Sequence, residues 1–96
     1  MHRLAILSLA LLASPALAAG HYHADPEARP AAARLVLRDI IWACGDRGCA
    51  AAAKSGSRPG IVCELLVKEV GRLRSFSAGG EPLSGGQLEK CNARAQ

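Results

Sequence analysis

The sequence predicts a small α+β domain, with two β-hairpins and two helices in the order ββαββα, stapled by two disulfides. Three observations carry this. The chain has 96 residues, enough for one domain, and four of them are cysteines. Apolar residues recur with a strand's period of two in some segments and a helix's period near 3.6 in others. The first eighteen residues read as a removable leader, which places the rest in an oxidising compartment.

The leader comes first in the chain. Met1-His2-Arg3 is a basic start, Leu4 to Leu12 is apolar apart from Ser8, and Ala16-Leu17-Ala18 has the small-x-small pattern of a cleavage site. The apolar run is too short for a bilayer that needs about 20 residues. No cysteine stands at the cut, which argues against a lipid-anchored start. Residues 1–18 are therefore expected to act as a signal peptide, residues 19–33 as a flexible arm, and residues 34–96 as the folded domain. The arm carries Gly20, Pro26 and Pro30 with no apolar periodicity.

Leu35 to Cys44 is rich in β-branched and aromatic side chains and is expected to form one strand. Two glycines between Cys44 and Cys49 make a turn, and Ala50 to Lys54 is expected to return. In that register Cys44 faces Cys49, Trp42 faces Ala51 and Ile40 faces Ala53. Ser57 is the expected N-cap of a helix over Ile61 to Val70, with Pro59 in its first turn. Cys63, Leu66, Val67 and Val70 share one face of it, and Gly71 ends it. Leu73 to Ala78 is a strand, Gly79-Gly80 a tight turn and Glu81 to Leu83 a short return. Ser84 and Gln87 form a capping box for a last helix, which carries Leu88 and Cys91 on one face.

About sixty residues bury too little surface to be comfortable without a staple. Four cysteines allow three pairings. Cys44 with Cys49 across a hairpin, and Cys63 with Cys91 between two apolar helix faces, needs no rearrangement. The loop-entropy model assigns roughly 2 kcal/mol to the small loop and roughly 3–4 kcal/mol to the large one. A four-thiolate zinc site fits poorly, because Cys63 and Cys91 are far apart, and no Cys-x-x-Cys redox pair is present.

Trp42-Ala43-Cys44-Gly45, Cys49, Ser57-Arg58-Pro59, Val62-Cys63-Glu64, Glu69-Val70-Gly71, Phe76 and Cys91-Asn92 together resemble an uncharacterised family of small exported four-cysteine alphaproteobacterial proteins. The resemblance runs from Trp42 onward. It implies export and a shared four-cysteine fold, and no activity.

The charge of +4 is spread along the chain, without the basic stripe and stacking aromatics of a nucleic-acid binder. Beyond the leader the only histidines are His21 and His23, on an arm ill-suited to hold a catalytic base. Glu64 and Glu69 are five apart on one helix and do not share a face, so they are not an acid–base pair. Trp42 and Phe76 are expected in the core. One chemical signal lies in the arm. Cleavage after Ala18 would leave Ala19-Gly20-His21 with a free amine. The amine, two backbone nitrogens and an imidazole can form a square plane suited to Cu(II) or Ni(II). The leading expectation is a non-enzymatic periplasmic or secreted module that binds an envelope protein or polymer, with no membrane span. Metal capture through Ala19, Gly20 and His21 is the alternative.

Overall fold

The computed structural model describes residues 20–96. The leader and Ala19 therefore lie outside the described residues. The elements are β1 (Tyr22–Pro26), β2 (Arg34–Leu37), β3 (Ile40–Gly45), β4 (Gly48–Ala51), α1 (Pro59–Val70), β5 (Leu73–Ala78), β6 (Glu81–Pro82) and α2 (Gly85–Asn92). Six strands form one antiparallel sheet in the order β2-β3-β4-β1-β5-β6. Both helices lie on one face of it. The α+β class, the two helices and the staples match the sequence expectation, and the sheet is larger than two hairpins.

Part of the expected flexible arm is a strand instead. Its residues Tyr22–Pro26 are β1, which lies inside the sheet and joins the two halves. Tyr22 pairs with Ala51 on one side and Ala78 on the other, and Ala24 pairs with Cys49 and Phe76. Tyr22 and Ala24 point into the core and Pro26 is buried, while His23 and Asp25 point away. The alternation runs for only five residues with a single large apolar side chain, flanked by proline and charge, too short to mark a strand by itself. Pro26 is tolerated because the pairing with β5 shifts register there.

Leu35 to Cys44 is not the single strand expected. This run folds back on itself at Arg38-Asp39, its one charged pair, so that Leu37 faces Ile40 and Leu35 faces Trp42. A single long strand would have put half of these apolar side chains on the uncovered side. Arg38 takes φ 58°, the left-handed region, where a two-residue turn ordinarily calls for glycine or asparagine. That is why the residue types alone did not mark a turn. The Cys44–Cys49 register holds, but β4 stops at Ala51, so Ile40 finds Leu37 and not Ala53. Ser57 is not the N-cap of α1: Arg58 is, with no side-chain cap bond, and the Ser57 amide donates to the Ser55 hydroxyl.

Tyr22, Trp42 and Phe76, the chain's one residue each of tyrosine, tryptophan and phenylalanine, form a buried triangle with ring centroids 5.8 to 6.3 Å apart. Val62, Cys63, Leu66 and Val67 of α1, with Cys91 of α2, close over it. Burying large aromatics against aliphatic helix faces supplies much of a small core's apolar area. The capping box of α2 is complete: the Ser84 side chain accepts from the Gln87 amide, and the Gln87 side chain accepts from the Ser84 amide.

Candidate functional site

The four cysteines form the two expected bridges. Cys44–Cys49 closes the β3–β4 hairpin, and Cys63–Cys91 ties α1 to α2 with a Cα separation of 5.9 Å. No free cysteine is present among the described residues. Cys44 is the partly exposed member; Cys49, Cys63 and Cys91 are buried.

His21 lies just before β1 and His23 within it, so both are tied to the sheet. His23 is exposed on the face away from the helices, between Ala50 and Ser77 in register. The His21 amide donates to the Ala52 carbonyl at 3.2 Å, and the His21 carbonyl accepts from Gly79 at 2.7 Å. The imagined square plane of Ala19, Gly20 and His21 needs that same amide nitrogen as a ligand. Sheet pairing and chelation therefore compete for one atom. Glu64 lies beside Arg94 at 3.8 Å, and Glu69 is exposed on α1, so the structure does not bring the two carboxylates to one site.

One groove was not anticipated from the sequence. It lies where the start of α1, the β5–β6 hairpin and α2 meet, with a volume of about 480 Å³. Pro59, Ile61, Ala78, Pro82 and Leu83 line it with apolar surface, while Arg58, Glu64, Glu81 and Lys90 bring both signs of charge to it. Ile61 is one of three large apolar side chains left exposed among the described residues. Each contributing element is locally determined. Pro59 starts α1, the turn glycines Gly79 and Gly80 take φ 59° and 83°, and the capping box starts α2. Their convergence depends on the Cys63–Cys91 bridge and on β1. Periodicity marks Ile61 only as a helix residue off the buried face, which gives no hint of a groove.

The β1–β5 junction shows how the sheet's weak point is held. Asn92, buried at the end of α2, accepts from the Leu73 amide at 2.8 Å and donates to the Leu73 carbonyl at 2.9 Å. Arg74 reaches the Pro26 and Glu27 carbonyls. Among the described residues no group of three or more His, Cys, Asp or Glu side chains is placed to hold a metal ion, and no helix is long and apolar enough to cross a membrane.

A model described as a family of unknown function, DUF8200, matches residues 7–93. No curated protein and no solved structure matches the chain.

Proposed function

The chain belongs to that family, and we propose that it is an exported, non-enzymatic binding module that engages an envelope protein or polymer through the α1–β6–α2 groove. The groove itself carries the reading. It has apolar walls and charge of both signs within reach of one ligand, the usual make-up of a recognition surface. Two disulfides in so small a domain are compatible with an oxidising compartment outside the cytoplasm, in agreement with the leader-like start of the chain.

The test is site-specific photo-crosslinking in the native host. A photoreactive side chain at Ile61 or Pro82 should capture a discrete partner, and one at His23 on the opposite face should capture it far less. Equal capture from both faces, or none from Ile61 and Pro82, would refute the groove as the contact. Turnover of an envelope polymer by the purified protein would refute the non-enzymatic reading.

A further inference from the structure

We propose that the free edge of β2 is a second docking surface, which takes an extended acidic segment of a partner protein as a seventh strand of the sheet. β2 is the outermost strand on its side. The Cys44 amide donates to the Ala33 carbonyl at 2.8 Å, which fixes the phase of the β2–β3 ladder. By the alternation of an antiparallel pair, Leu35 and Leu37 turn their main-chain groups toward β3, and Arg34 and Val36 turn theirs outward. Two amides and two carbonyls thus point away from the sheet, at the spacing an added strand requires.

The side chains around this edge specify the occupant. Val36 and Ile41 face each other across β2 and β3, 63% and 54% exposed, on the face without helices. They are the two most exposed large apolar side chains among the described residues. Leu35 and Leu37 lie half-buried at the core margin on the other face, where an added strand would cover them. Arg34 and Arg38 stand at the two ends of the edge, both exposed, and neither makes an ion pair among the described residues. Asp39 is the acidic neighbour at the turn.

That charge disfavours a second copy of the chain. Antiparallel self-pairing that keeps both helix layers on one side sets Arg34 either opposite Arg38 or diagonal to its own counterpart. Like charges at those positions oppose pairing. An incoming strand with acidic residues at the positions facing Arg34 and Arg38, and apolar residues between them, satisfies the edge, the exposed Val36–Ile41 pair and the two arginines together.

The probe is a short synthetic peptide with two glutamates flanking leucine, valine and leucine, fluorescently labelled and titrated into the purified protein. Saturable binding should protect the Arg34 and Val36 amides from hydrogen exchange. Val36→Pro removes an outward donor without touching the β2–β3 ladder and should weaken binding about tenfold or more. Arg34→Glu with Arg38→Glu should weaken it similarly and transfer preference to the lysine analogue of the peptide. A Trp42 fluorescence spectrum like that of the parent protein shows that each variant is folded. No binding, binding insensitive to the charge reversal in folded protein, or protection elsewhere overturns the proposal. Self-association abolished by Val36→Pro would overturn it in favour of a second copy. Capture at Ile61 is unaffected by either result, so this edge and the groove stand or fall separately.

Discussion

Asn92 shows most clearly how one side chain maintains this fold. Its amide satisfies both the donor and the acceptor of Leu73, at the point where β1 and β5 shift register. Asn92→Ala orphans two buried main-chain groups, each costing about 1–3 kcal/mol. Urea denaturation should show a loss of that order, larger than that from Glu69→Ala on the exposed side of α1, which should stay within about 0.5 kcal/mol. Gly48 is equally specific. It takes φ 101°, and a Cβ there would overlap the Ala24 carbonyl oxygen. Gly48→Ala forces β4 away from β1 and should cost on the order of 2 kcal/mol or more, read as a drop in melting temperature. Neither role is visible in the residue type. The sequence places Cys91 on the apolar face of the last helix and assigns Asn92 no role, and it marks Gly48 as one of two turn glycines.

At the scale of elements, the two bridges differ in what they hold. Cys44–Cys49 closes a hairpin that the ladder already closes, at a sequence separation of 5, whereas Cys63–Cys91 spans 28 positions and fixes two helices over the sheet. In the loop-entropy model, replacing both cysteines of the longer bridge by alanine should cost about 3–4 kcal/mol, and of the shorter about 2 kcal/mol. Guanidinium melts of the two double variants test that order. β1 sets a second expectation. If the exported chain begins at Ala19, Cu(II) chelation through the His21 amide must break its bond to the Ala52 carbonyl. Losing one such bond costs about 1 kcal/mol, so the folded protein should bind Cu(II) roughly fivefold more weakly than the free Ala-Gly-His peptide. Competition between the two, followed by the visible absorption of the copper complex, measures the ratio. Equal affinities would mean that the start of β1 opens without cost.

For the molecule as a whole, the strand order makes part of the segment expected as a flexible arm indispensable. β4 and β5 never pair with each other, and β1 alone joins the β2-β3-β4 half to the β5-β6 half. Tyr22 also completes the aromatic triangle and accepts a hydrogen bond from the Ser55 amide at 3.1 Å. A chain starting at Arg34 should therefore fail to fold, giving collapsed amide dispersion in NMR, while a chain starting at Ala19 folds. A folded fragment from Arg34 onward would contradict the topology. The groove depends on the same strand, because the β5–β6 hairpin that forms one wall is held in place through β1.

What is local or covalent could be read from the residues alone. The spacing of Cys63, Leu66, Val67 and Val70 set the buried face of α1, and Ser84 with Gln87 set the start of α2. Gly79-Gly80 set a hairpin, and the positions of the cysteines favoured the pairing that is observed. Each of these depends on interactions within a few residues or on one low-strain pairing. The rest depends on contacts between segments distant in the chain. Tyr22–Pro26 is a strand because two distant edges, β4 and β5, both lack a partner without it, and five residues with one large apolar side chain carry no such information alone. Leu35 to Cys44 folds in half at Arg38-Asp39 because only one face of the sheet is covered, and that is a property of where the helices lie. The groove and the β2 edge are decided at the same level. The groove is made by elements that meet through packing and the Cys63–Cys91 bridge, and the edge of β2 is free because the strand order leaves Arg34–Leu37 outermost.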